Sequence, residues 1–382
     1  MYSEKDLLWI SLSICNSYST LPLTQALIKN CGIEDTLKMI KEYDSTSLLL
    51  PNSVYDSSYS KRFNNTYLHR SFGYLKEILS VKSVEQILNQ CEKLKVKVIT
   101  SESDFWPRQL EFLELEKPLA LWCRGDNLEL LPKNNMISVV GSRKCSIYGR
   151  NTAIDFSYDL AEKNFTIVSG GAYGIDIYSH IGALNSTGNT ISVLAGGVDR
   201  LYPSSNISVF NSILENGLII SENPIGVRPA KWKFLERNRI IAALSKVVLV
   251  VEAPEKSGSL NTASYAVEYG KNLGVIPGNI DSSFCAGSNA LLKQGAYPIT
   301  CVNDVLELMG EKYVQEELFE HAENENTVAQ KRILSSLYKT KSKTLEELFL
   351  ECELDVKQML KTLSFLETKG KCLRKNNGWV LL

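Results

Sequence analysis

Between Leu119 and Ile276, short apolar runs end again and again in loops, most of them glycine-rich, and a helical pattern follows most of them. The runs are Leu119–Cys123, Met136–Val140, Thr166–Val168, Ile191–Ala195, Leu218–Ser221, Val247–Val251 and Val275–Ile276. Near-continuous apolar strands alternating with helices predict a parallel sheet covered on both faces. Ligands of such sheets bind beyond the carboxyl ends of the strands.

Five loops occupy those ends. They are Gly141-Ser142-Arg143 through Tyr148-Gly149, Ser169-Gly170-Gly171-Ala172-Tyr173-Gly174-Ile175-Asp176, and Ala195-Gly196-Gly197 through Pro203. Then come Ser221-Glu222-Asn223-Pro224, and Glu252-Ala253 with Ser257-Gly258-Ser259-Leu260-Asn261-Thr262. Glycine lets backbone donors approach an anion, hydroxyls add further donors, and an arginine beside a helix N-terminus supplies a phosphate clamp. The pattern predicts a phosphate-rich ligand.

Two common phosphate ligands are disfavoured. The first loop lacks the second close glycine of a dinucleotide fingerprint, and no Gly-Lys-Ser/Thr phosphate loop occurs. The formal net charge of −1 gives no global basic field, so a nucleic-acid partner needs local charge. Such charge stands between Arg228 and Arg239, where Arg228, Lys231, Lys233, Arg237 and Arg239 face Glu236 alone. Trp232 and Phe234 are interleaved there. They read either as core residues or as faces on which unpaired bases stack.

Other residues carry two readings each. Asp176 and His180 stand four apart on one helix, as an acid–base pair or as a helix cap with a packed histidine. Glu222 and Glu252 end strands. They would be acids in a nucleotide-cleaving enzyme, or they would orient Arg237 or Arg239. His69, His180 and His321 are the only histidines, which leaves few candidates for a triad. Nine scattered cysteines without a Cys-x-x-Cys pair argue against structural zinc and fit a reducing cytoplasm. No apolar run of membrane-spanning length occurs, so a soluble protein with no membrane partner is expected.

The flanks differ from the centre. Residues 1–95 read as a small helical (SAM-like) domain, interrupted by a polar stretch from Pro51 to Asn65. That domain carries either no chemistry or a contact to DNA or a partner. Residues 96–310 form the α/β core, residues 311–326 an acidic linker with six glutamates and one lysine, and residues 327–382 a last unit. Three helices and two short strands joined at Asn377-Gly378 predict a winged helix, with eleven Lys/Arg against six Asp/Glu.

The loops in order resemble the DNA-processing protein A family (DprA, also called Smf). The resemblance rests on Val140-Gly141-Ser142-Arg143, Ser169 to Asp176, Gly197-Val198-Asp199-Arg200-Leu201-Tyr202-Pro203, and Ile220 to Pro224. It extends through Phe234-Leu235-Glu236-Arg237-Asn238-Arg239-Ile240-Ile241, Val251-Glu252-Ala253, Ser257 to Ala263, and Pro277-Gly278-Asn279-Ile280. Asp104-Phe105-Trp106-Pro107 and Arg124-Gly125-Asp126 match the family's lead-in, and the likeness spans about Ile99 to Leu308. The resemblance implies an extended Rossmann-like core that binds single-stranded DNA without catalysis or cofactor. It implies a cytoplasmic homodimer, joined through the core, that protects incoming strands in natural transformation and loads the RecA recombinase. By motif match the DNA-binding residues fall on Gly141, Ser142 and Arg143, with Ser169, Gly170 and Gly171 lining the same pocket, and with Arg237 and Arg239 added. The chain departs from the pattern at Gly171, where a larger apolar residue is common, and at Leu235, where proline is more usual.

Overall fold

A computed structural model of the chain describes residues 2–45 and 63–310. It also describes residues 329–382 apart from 331, 335, 339–341, 353, 355, 376 and 377. The expected acidic linker, most of the Pro51–Asn65 stretch and the Asn376-Asn377 turn residues lie outside the described residues. The chain divides into two compact units, Met1–Glu311 and Lys312–Leu382.

The first unit opens with helices α1 (Glu4–Cys15), α2 (Leu21–Cys31), α3 (Ile33–Glu42), α4 (Asn65–Val81) and α5 (Val84–Lys93). Ser3 caps α1, accepting from the Asp6 amide while Asp6 reaches back to the Ser3 amide. Buried Leu12, Leu23, Leu27, Leu68 and Phe72 form the core of this helical part.

The sheet follows, with its helices between the strands: β1 (Val96–Ile99), β2 (Leu121–Arg124), β3 (Met136–Val140), α6 (Ile147–Glu162), β4 (Thr166–Ser169), α7 (Ile175–Leu184), β5 (Thr190–Val193) and α8 (Ile207–Asn216). Then come β6 (Leu218–Ser221), α9 (Lys231–Leu244), β7 (Val247–Val250), α10 (Gly258–Glu268), β8 (Asn272–Val275), α11 (Ala286–Lys293), β9 (Tyr297–Pro298) and α12 (Val302–Met309). The spatial order is β1-β2-β6-β5-β4-β3-β7-β8-β9. Strands from β6 to β9 pair in parallel, whereas β1 and β2 add an antiparallel edge. This is an α/β Rossmann-like core.

Strand periodicity divides the side chains between two layers. Leu218 and Ile220 point toward the layer holding Ile240, Ile241 and Leu244 of α9. Ile219 points the other way, toward Phe210 and Ile213 of α8 and toward Ile10 and Ile14 of α1. The N-terminal helices therefore share a core with the sheet.

Two strands have no counterpart in the sequence reading. Val96–Ile99 has a lysine at an exposed position, and Tyr297–Pro298 is two exposed residues long. The eighth strand begins at Asn272 rather than Val275, and includes Gly274, where a Cβ would stand 2.8 Å from Ile299.

The chain steps outward from β3 to β4, β5 and β6, then returns along α9, which touches β5, β4 and β3, to place β7 beside β3. The order reverses between β3 and β7, and a crevice opens at their carboxyl ends.

In the second unit, α13 (Leu345–Cys352) and α14 (Val356–Thr368) pack on an antiparallel pair, β10 (Cys372–Lys375) and β11 (Gly378–Leu381).

Helices α6 and α7 pack at unusually close range, since a Cβ on Gly182 would stand 2.2 Å from the Ile154 carbonyl oxygen. Gly182→Ala is therefore expected to lower stability by about 1–3 kcal/mol through overpacking. A urea-denaturation midpoint measured beside the unsubstituted chain checks this.

Candidate nucleic-acid interface

Residues at the reversal point surround a cleft of about 490 Å³. Gly141, Ser142, Arg143 and Lys144 leave the end of β3, while Ser257, Gly258, Ser259 and Thr262 open α10. The third wall is the first half of α9, with Lys231, Phe234, Leu235, Arg237 and Asn238. Arg143, Lys144, Lys231, Arg237 and Lys256 line it against one carboxylate, Asp176. None of the ion pairs among the described residues uses Arg143, Lys144, Lys231 or Lys256. Their charge is open to a ligand.

The Gly-Ser-Arg turn is held from below. The Ser142 amide donates to the Glu252 carbonyl at 2.7 Å, and the Ile175 amide donates to the Ser142 carbonyl at 3.1 Å. The Ser142 hydroxyl donates to the Lys144 carbonyl (2.6 Å) and accepts from its amide (3.1 Å). That hydroxyl is locked in the turn rather than aimed at a ligand. Gly141 fits because a Cβ there would meet Ile175 at 2.5 Å. Gly174 has φ +76°, and a Cβ would come within 2.1 Å of the Ser142 carbonyl oxygen. Arg143 is left exposed, its guanidinium carbon 5.0 Å from the centroid of Phe234.

The anion-binding helix end differs from the sequence expectation. The N-terminus of α6, just after the first loop, already holds the protein's own carboxylate. Glu252 accepts from the Ser146 amide at 2.9 Å and from its hydroxyl, and Ser146 caps the Gly149 amide. Gly149 is required there, since a Cβ would stand 2.3 Å from the Glu252 carboxylate. The helix end that faces the cleft is that of α10. Ser257 caps it, and Gly258 borders open space. The Ser257 and Ser259 hydroxyls stand there 2.7 Å apart, at a helix end whose dipole favours an anion.

The run Arg237-Asn238-Arg239 points in three directions. Arg237 is buried and donates to the Gly170 carbonyl at 2.9 Å and to the Val193 carbonyl. Burial pulls its pKa down to about 10 against the opposing pull of Asp176, so it stays cationic at neutral pH. Burial likewise raises the Asp176 carboxyl, while Arg237 and backbone donors at Ala172 and Gly170 pull it down. Asn238 donates to the Gly258 carbonyl at 3.2 Å, tying α9 to the start of α10. Arg239 is fully buried on the far side, bidentate to Glu222 at 2.8 and 2.6 Å. Burial lowers its pKa, but the Glu222 charge outweighs that and raises it above the ordinary value.

The structure thus gathers Gly141, Ser142, Arg143 and Arg237 at one cleft. Ser169, Gly170 and Gly171, expected to line it, stand behind Arg237 instead. The Ser169 hydroxyl donates to the Val139 carbonyl at 2.6 Å, Gly170 packs on the Arg237 guanidinium, and Gly171 (φ +64°) packs on Phe210. Arg239, expected to contact DNA, has no exposed surface and does not line the cleft. Its guanidinium meets a carboxylate placed at the end of β6, the second role foreseen for Glu222. Neither Glu222 nor Glu252 lines the cleft.

Two cleft cations escaped the sequence reading, Lys144 and Lys256. Each adjoins a glycine loop already singled out, and that adjacency was the available signal. Of the two aromatics, Phe234 is half-buried under Arg143, whereas Trp232 is 63% exposed and so is not a core residue.

With this geometry in place, comparison with known proteins is decisive. The family model for DNA recombination-mediator protein A matches residues 97–310. The chain belongs to the DNA recombination-mediator protein A family. DNA processing protein DprA of Bacillus subtilis is 35% identical over 220 residues, 58% of this chain and 72% of the relative. Protein Smf of Escherichia coli is 39% identical over 227 residues, 59% and 60% of the two chains. The X-ray structure of DNA processing protein A from Streptococcus pneumoniae superposes with TM-score 0.62 and 28% identity, covering 80% of this chain and 98% of that one. DNA processing protein A from Helicobacter pylori, whose structure is described with a single-stranded DNA binding mode, gives TM-score 0.52 and 33% identity over 58% of this chain and 98% of that one. Among the described residues no helix is long and apolar enough to cross a membrane.

The Asp176–His180 pair is not an acid–base couple. His180 Nδ1 lies 2.7 Å from the Thr190 hydroxyl, which donates onward to the Ile167 carbonyl, so Nδ1 carries the proton. Burial drives the His180 pKa down from 6.5 to about 3. The unfolded chain therefore binds the extra proton first as pH falls, and stability is lost progressively from about pH 6.5 toward about pH 3. His180→Gln should flatten that part of the stability–pH curve, measured by denaturation at stepped pH. An unchanged slope would show that His180 does not titrate on unfolding.

Proposed function

We propose that this protein is a single-stranded DNA-binding recombination mediator. The observation that carries the reading is the cleft at the β3/β7 reversal, with five cations, one carboxylate and the N-terminus of α10. Arg143 holds a backbone phosphate while amides and hydroxyls at the start of α10 hold another. Phe234, its ring centroid 5.0 Å from the Arg143 and 6.0 Å from the Arg237 guanidinium carbon, lines the cleft, and an unpaired base packs against it and Arg143. A paired base has its faces covered by its neighbours and cannot use that platform, which gives preference for single strands. Gly141 and Ser142 shape the turn; Gly170 fixes Arg237, Ser169 and Gly171 pack on Val139 and Phe210 behind it, and Arg237 and Arg239 hold α9 in place.

The description of the family as a recombination mediator and the DNA-binding mode described for the Helicobacter pylori protein support this reading. In it, the protein covers incoming single strands in the cytoplasm during natural transformation and hands them to RecA. It acts as a homodimer joined through the core. Two clefts on one dimer raise apparent affinity through effective concentration. The chemistry is binding alone, with no cofactor. The C-terminal unit is a winged-helix accessory to the core.

Arg143→Ala tests the core of the proposal. The substitution removes an exposed side chain with no ion pair among the described residues, so the fold should be unaffected. Affinity for single-stranded oligonucleotides should fall for all sequences, and the slope of log affinity against log salt should flatten by about one unit. Unchanged affinity and slope would remove Arg143 from the site.

A further inference from the structure

Arg239 stands two residues from a cleft-lining arginine, yet it is the largest charged side chain with no exposed surface. Four of its contacts face away from the cleft. Besides the two bonds to Glu222, its Nε donates to the Glu116 carbonyl at 3.2 Å, and an Nη donates to the Glu236 carbonyl at 2.9 Å. Its guanidinium carbon lies 4.9 Å from the ring centroid of Tyr18, and the Tyr18 hydroxyl donates to Glu116 at 3.0 Å. Tyr18 comes from the turn between α1 and α2, and Glu116 precedes β2. Six residues earlier on α9, nearly two turns back, Lys233 donates to the Asn223 side chain at 2.8 Å. Two successive residues at the end of β6, Glu222 and Asn223, thus grip α9 at two levels.

A buried ion pair contributes little to stability compared with apolar residues of the same size, but its directional bonds fix one geometry. Here that geometry sets how α9 turns Phe234 and Arg237 toward the cleft. We infer that the Arg239–Glu222 pair, braced by Tyr18 and Glu116, is a positioning lock for the DNA-binding face of α9. Through it the N-terminal helices act on the cleft without touching the strand. This inference rests on the single-strand reading given above. Arg239 and Tyr18 are positioning residues, not contacts to DNA.

The lock predicts a kinetic split. The exposed cations that steer the strand are untouched, so the association rate and its salt dependence stay as they are. The aim of the binding face is lost, so dissociation quickens. The experiment is stopped-flow binding of a labelled thymine oligonucleotide to the full chain. It compares the unsubstituted protein, Arg143→Ala, Tyr18→Phe and the paired change Glu222→Met with Arg239→Met. The paired change replaces the ion pair by apolar groups of similar volume and is expected to melt near the original temperature, as such replacements are often neutral. Its dissociation rate should rise about tenfold with association changed by less than about twofold, the usual partition for altered interface geometry. Tyr18→Phe keeps the ring and removes one hydroxyl, so it keeps the test open if the paired variant melts early. It should raise dissociation by about two- to threefold in the same manner.

Dissociation unchanged in the folded paired variant, or in Tyr18→Phe where the paired variant melts early, would overturn the lock. A fall in association matching the rise in dissociation would overturn it too. Absence of binding by the unsubstituted chain, or indifference to Arg143→Ala, would instead refute the single-strand reading on which the lock rests.

Discussion

The buried guanidinium of Arg237 sets the relation between α9 and the sheet. It reaches the carbonyls of Gly170 and Val193, which end β4 and β5, and lies beside the buried charge of Asp176 at the start of α7. A cation in that position is tolerable only while those partners remain, since an unpaired buried charge is strongly destabilising. The glycine at position 170 follows from it, because a Cβ there would stand within 2.6 Å of the guanidinium. The helix that carries Phe234 and Lys231 is thereby held over the carboxyl ends of the strands.

The cleft then follows from topology. A parallel sheet whose order reverses between β3 and β7 leaves a gap where no helix crosses, and loops from both strands meet there. Glu252, just past β7, anchors the β3 loop at two points. Its carbonyl receives the Ser142 amide, and its carboxylate caps the start of α6. That carboxylate fills one helix end, and the end of α10 is the one that borders the cleft. Four cleft cations, Arg143, Lys144, Lys231 and Lys256, make no ion pair among the described residues, and buried Arg237 stands behind them.

Much of this was legible in the sequence because its causes are local. The glycine loops at strand ends, the apolar strand runs and the basic turn of α9 all appear as short patterns. The direction of each side chain was not legible. Arg237 and Arg239 look alike on paper, yet two residues along a helix turn a side chain by more than half a revolution. One faces the cleft wall and the other meets Glu222. Ser169, Gly170 and Gly171 likewise share the composition of a phosphate loop, but their donors and space serve Val139, Arg237 and Phe210. Strand β1 was missed because its exposed lysine interrupts a run of only four residues, which leaves too little apolar pattern to register. Position within the fold separated ligand-facing loops from supporting ones, and sequence order alone did not.

In the proposed function, this cleft grips an unpaired, charged strand. The most direct measurement is a titration of labelled oligonucleotides, single-stranded and duplex of one sequence, at several salt concentrations. The single strand should bind more tightly throughout, with affinity falling steeply and linearly on logarithmic axes as salt rises. Equal affinity for both forms, or single-strand binding indifferent to salt, would contradict it.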